Sequence, residues 1–128
     1  MSRTLVPTAS PLGAQAGYSR AVFQGDWCFV AGTTGYDPDT GAMPDDVADQ
    51  ARNALKVIEG AMAQGGFTLA DVVRATYYIT DMAYWGPIGP VLGGAFADIL
   101  PAASCVVAGL VKPEMKIEIE VTALKRTA

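Results

Sequence analysis

Apolar and polar positions alternate most cleanly near the C-terminal end, where Ile117, Ile119 and Val121 interleave with Lys116, Glu118 and Glu120. A side-chain period of two is that of a strand, so one face meets an apolar core and the other carries two carboxylates. The same period runs through Val72 to Ile79, with Val73, Ala75, Tyr77 and Ile79 on one side and Arg74, Thr76 and Tyr78 on the other, before Asp81 closes the segment. Ala21 to Phe23 and Trp27 to Ala31 read as two strands joined by the turn residues Gln24, Gly25 and Asp26, which makes a hairpin. Strands are also expected over Ala103 to Ala108 and Met115 to Ala123, around a turn at Lys112 and Pro113.

Steps of three and four replace the alternation after Asp45 and Asp46, either of which caps a helix. Val47, Ala51, Ala54, Leu55, Ile58 and Met62 form its apolar stripe, and Gly65 and Gly66 end it. A second helix is expected within Tyr84 to Leu100. Proline is tolerated only in the first helical turn, so this helix is predicted to begin no earlier than Pro87. Thr33 to Met43, with its run Asp37-Pro38-Asp39-Thr40-Gly41, reads as an irregular loop. Met1 to Gly17 is mixed, interrupted by Pro7 and Pro11, and carries no recognisable leader. The order of elements predicts a single α+β domain over residues 1–128, a mixed sheet with two helices on one face.

Composition adds a partner to this picture. With 51% hydrophobic and 17% charged residues in 128, the chain suits one domain with a sizeable core, and its surplus of apolar surface points to burial between subunits. A net charge of −4 without a Lys/Arg cluster disfavours nucleic acid. No apolar run is long enough to span a bilayer. Cys28 and Cys105 are far apart and lie in apolar runs, which predicts two buried free thiols and a soluble protein of the cytoplasm.

The chain has no histidine, which excludes Ser-His and Cys-His catalytic pairs and removes the usual zinc ligands. Asp37 and Asp39 lack the distal glutamate of a calcium loop, and Gly86 to Gly94 matches no phosphate-binding fingerprint. Among the remaining groups, Glu120 suits general acid/base chemistry if a dry cleft raises its pKa; otherwise it pairs with Lys116 or an arginine. Cys105 has no base to activate it and reads as a small buried residue lining a site. Thr33 and Thr34 follow a strand end at Gly32, where backbone amides are placed to bind an oxygen, although turn chemistry selects the same residues. Trp85 walls a cleft or packs. Arg20 offers a cation two residues after Tyr18, against the simpler reading of a solvated surface arginine.

Several segments together resemble the RidA (YjgF) family of imine and enamine deaminases. Gly17-Tyr18-Ser19-Arg20-Ala21-Val22, Val30-Ala31-Gly32, Asp37-Pro38-Asp39-Thr40-Gly41, Gln50-Ala51-Arg52-Asn53-Ala54-Leu55 and Asp71-Val72-Val73 are similar to family segments in order and spacing. So is Pro101 to Val121, whose Lys116-Ile117-Glu118-Ile119-Glu120 resembles the family's last strand. The resemblance implies a chorismate-mutase-like fold, a homotrimer with ligand clefts between subunits, and hydrolysis of small imines or enamines with release of ammonia. It implies no metal or organic cofactor. On the matching positions, Glu120 holds the attacking water, Cys105 lies beside it, and Tyr18 lines the cleft. Ala103 stands where the family has an arginine that grips a substrate carboxylate, and Gly89 where it has an asparagine. Those departures leave Arg20 or Lys112 as alternative cations, and a noncatalytic metabolite-binding protein or a ribonuclease as alternative functions.

Overall fold

The computed structural model describes residues 2–126. Its elements are β1 (Arg3–Val6), α1 (Leu12–Ala16), β2 (Ala21–Gln24), β3 (Trp27–Thr34), α2 (Val47–Ala63), β4 (Val72–Ile79), α3 (Trp85–Phe96), β5 (Ala102–Val107) and β6 (Ile117–Leu124). The strands form one sheet in the order β1-β2-β3-β6-β4-β5. Only β4 and β5 run parallel, the crossover between them being α3. The mixed sheet expected from the sequence is therefore present. β1 and α1 are additions, in a segment whose apolar positions are too few to show a period.

Hairpin geometry follows from Gly25, whose φ of 57° opens the two-residue link between β2 and β3. β3 continues three residues beyond the expected Ala31, because it pairs with β6 on both sides of a bulge between Val30 and Thr33. A second bulge, between Val72 and Arg74, corrects the alternation read for β4. Val72, at 3% exposure, takes the inward place expected for Val73, which is 41% exposed. One extra residue in a strand turns its side chain to the other face.

The N-terminus of α2 is capped by Asp46, whose carboxylate accepts from the Asp49 amide at 3.2 Å. Its expected stripe is buried, together with Gln50. α3 begins at Trp85 rather than Pro87, after a 3-10 turn over Met82–Tyr84. Pro87 still falls in the first turn, where its missing amide costs nothing, and Pro90 removes one bond deeper in the helix. Ile88, Leu92 and Phe96 of α3 join α2, Tyr77, Ile117, Ile119 and Val121 in a single core on one side of the sheet. The other side is open. Leu5, Trp27 and Phe29 are exposed there. No helix among the described residues is long and apolar enough to cross a membrane.

Candidate functional site

Strand register decides which candidate residues meet. In β4, Thr76 stands opposite Glu120 and Tyr78 opposite Glu118, while Tyr77 stands opposite Ile119. On its other edge Tyr77 stands opposite Cys105, and Ala75 opposite Ala103. Neighbours in register share a sheet face, so Glu118 and Glu120 lie on the open face while Cys105 and Ala103 lie on the helix side. Within one chain Cys105 is therefore not beside Glu120. Nor is it buried: it is exposed on β5, an edge strand, whereas Cys28 is enclosed.

The open face carries an acidic strip. Tyr78 donates its phenol proton to Glu120 Oε1 at 2.8 Å. That bond and the negative charge of Glu120 hold the phenol pKa above its ordinary value. Glu120 thus has a tyrosine as its partner, and Lys116 is committed elsewhere, to the Asp45 carbonyl at 2.7 Å and carboxylate at 3.2 Å. Beside it, burial and the charge of Glu120 raise the Glu118 carboxyl, an effect that Arg20 opposes. Glu118 lies against Gly32 so closely that a Cβ there would stand 2.8 Å from the carboxyl carbon.

Arg20 is not a solvated surface residue. Its guanidinium donates to the Ala31 and Gly32 carbonyls at 2.9 and 2.7 Å, pinning the bulged stretch of β3. Its buried Nε finds no hydrogen-bond partner among the described residues. Tyr18 is exposed and close enough to Arg20 to influence it electrostatically. The Thr33 side chain faces the core: it is 2% exposed, and its hydroxyl donates to the Ala31 carbonyl at 2.8 Å.

The second cluster lies between α3 and β5, a recess of about 270 Å³ where Trp85, Gly89, Leu92 and Phe96 face Tyr77 and Ala103. Trp85 is exposed there rather than packed into the core. Ala103 and Gly89, on separate elements, line the same recess. Burial pushes the Tyr77 phenol up to about 12 and raises the Cys105 thiol as well, so neither ionises readily at neutral pH. A raised thiol is the opposite of an activated nucleophile. Among the described residues, no three His, Cys, Asp or Glu side chains group closely enough to hold a metal ion.

Sequence reasoning missed Tyr78 as the partner of Glu120. The signal was present, since Tyr78 falls on the polar side of the β4 alternation, but the register sets it opposite Glu118, and only the side-chain geometry shows that it reaches diagonally to Glu120.

The chain matches the family model described as Endoribonuclease L-PSP over residues 8–125. It is 30% identical to a Salmonella typhimurium 2-iminobutanoate/2-iminopropanoate deaminase, over 98% of this chain and all of that one. Among solved structures, a Mycobacterium tuberculosis member of the YjgF/YER057c/UK114 family superposes with a TM-score of 0.89 at 44% identity, over 97% of this chain and 100% of the other. Escherichia coli TdcF with bound serine superposes with a TM-score of 0.81 at 28% identity, over 95% and 94%.

Proposed function

The chain belongs to the Endoribonuclease L-PSP family, also known as RidA or YjgF, and from that premise we propose that it hydrolyses small imines, enamines or related amino compounds. Water adds to the C=N carbon while Glu120 takes one of its protons and passes it to the nitrogen, giving the carbinolamine; the hydroxyl proton then goes to the same nitrogen through Glu120 as the C–N bond breaks, leaving a carbonyl compound and ammonia. The observation that carries this reading is the bond from Tyr78 to Glu120. It fixes the carboxylate on an uncovered face and leaves its other oxygen for water. Support for the chemistry also comes from the deaminase name of the Salmonella relative.

The site is assigned to a cleft between subunits of a homotrimer. Glu120 and Tyr18 of one subunit face Cys105, Ala103 and Trp85 of the next. Two features support this. All six residues of edge strand β5 are exposed, a row of free backbone groups that proteins ordinarily cover. The open face also holds an apolar hollow of about 820 Å³ walled by Val22, Trp27, Phe29 and Leu124, with Trp27 stacked on Phe29 at 6.0 Å. Catalysis is assigned to side chains and water alone.

Ammonia release from imines generated in place by an amino-acid dehydratase tests the proposal. Turnover by the wild type that is lost in Glu120→Gln supports it; equal release by both removes Glu120 from the chemistry. The uncharged recess at Ala103 favours one second reading, a metabolite-binding protein without turnover. In that case Glu120→Gln leaves ligand affinity unchanged, and no imine is hydrolysed faster than in buffer.

A further inference from the structure

The recess between α3 and β5 is uncharged. Trp85, Leu92, Phe96, Tyr77 and Ala103 supply its walls, and no Asp, Glu, Lys or Arg lines it. Its polar side chains are neutral, and the Tyr77 phenol, held up to about 12, stays so through the physiological range. Gly89 and Gly93 also line it, and a Cβ at either would meet nothing within 4 Å. The resulting 270 Å³ equals about nine bulk waters, which is room for a branched alkyl group. A carboxylate placed there would meet apolar walls and no cation.

The acidic strip has the opposite character. Glu118 and Glu120 sit side by side, the first partly desolvated against Gly32. The cation within their influence, Arg20, already holds two backbone carbonyls. Arg74, exposed on the same face opposite Thr122, is a second cation on that face.

We infer that the site is specific for small nitrogen compounds without a carboxylate: the nitrogen is held at the Glu118–Glu120 strip and an apolar substituent fills the recess beneath Trp85. This rests on the reading that the two clusters face each other across a subunit boundary. The substrates are then imines related to simple amines rather than to amino acids. The reaction is R–CH=NH + H2O → R–CHO + NH3, in which the C=N bond is replaced by C=O with no change of oxidation state.

Isobutylamine and valine share a skeleton and differ by one carboxylate, so calorimetric titration of the intact assembly with each isolates the specificity. The wild type is expected to bind isobutylamine at least about ten-fold more tightly, a difference of about 1.4 kcal/mol. Trp85→Ala weakens isobutylamine several-fold, and Ala103→Arg shifts the preference toward valine. Equal or tighter binding of valine by the wild type overturns the inference. Loss of that valine binding in Arg74→Ala would identify the anion anchor instead. A flat titration with both compounds, or indifference to Trp85→Ala, also overturns it. Ammonia release from the two imines is read separately. Preference without turnover upholds the specificity and removes the hydrolase reading; turnover with preference for the valine imine does the reverse.

Discussion

Replacing Gln50 with leucine tests how the region beside the site is anchored. Gln50 is 0% exposed on α2, and its side chain is fully engaged. Nε2 donates to the Pro44 carbonyl at 2.8 Å and the Glu114 carbonyl at 3.1 Å, while Oε1 accepts from the Lys116 amide at 2.9 Å. One amide thus ties the loop before α2 and the approach to β6 to the helix between them. Leucine matches the volume and removes all three bonds. At about 1 kcal/mol net for each, the loss is about 3 kcal/mol, rising toward about 5 where the orphaned backbone groups stay dry. With a urea dependence of about 1.5 kcal/mol per molar, the unfolding midpoint falls by about 2 M, compared at one protein concentration because association shifts apparent stability. Gln50→Glu gives an internal control. It keeps an acceptor for Lys116 but sets an anionic oxygen against two carbonyls, so it is the more damaging variant at neutral pH. Such a site raises the carboxyl pKa, and stability recovers as pH falls and the acid protonates to donate again. A midpoint shift below about 0.5 M for Gln50→Leu, equivalent to less than about 1 kcal/mol, would refute the assignment of this amide as the tie.

Three further outcomes follow from the geometry. Tyr78 titrates above an ordinary tyrosine because it donates to Glu120; in Glu120→Gln its pKa falls toward normal, read by NMR of ring-labelled tyrosine, and an unchanged titration would separate the two groups. The raised Glu118 carboxyl means that the folded chain binds this proton more readily than the unfolded chain does, so the charged form costs stability at neutral pH. Glu118→Gln therefore raises Tm at pH 7, and the gain disappears as pH falls through the folded pKa; a gain independent of pH would point to packing instead. Two glycines respond in opposite directions in thermal unfolding. A Cβ at Gly35 would stand 2.4 Å from Gln50 Cα, so Gly35→Ala loses about 1–3 kcal/mol, whereas Gly60, inside α2 with nothing within 4 Å, gains up to about 1 kcal/mol on substitution by alanine.

The elements legible in the sequence are those whose side chains repeat a period over many residues. α2 and β6 each show six or more consecutive positions consistent with one face, so burial reproduced their pattern. Local chemistry also fixed the hairpin turn at Gly25 and narrowed the helix cap to Asp45 or Asp46, of which the structure selects Asp46. The absence of histidine excluded whole reaction classes without any coordinates. Periodicity failed where one residue breaks it: the bulge turns Val73 outward while Ala75, Tyr77 and Ile79 keep the inward face expected of them, and nothing nearby in the chain announces a bulge. It failed again at β1 and α1, which are too short to repeat.

The site divides along the same line. Sequence identified Glu120, Tyr18, Arg20 and Ala103 as positions of interest, because residue type and order along the chain are enough for a resemblance. Their grouping depended on register. The pairing of β4 with both β5 and β6 places Cys105 and Glu120 on opposite faces and brings Tyr78 within diagonal reach of Glu120, while the pairing of β2 with β3 sets Arg20 against the β3 carbonyls. Alternation assigns a residue to one of two faces, but only the tertiary arrangement decides which faces and edges from distant strands become neighbours, because strand pairing is set by the whole core rather than by any one segment.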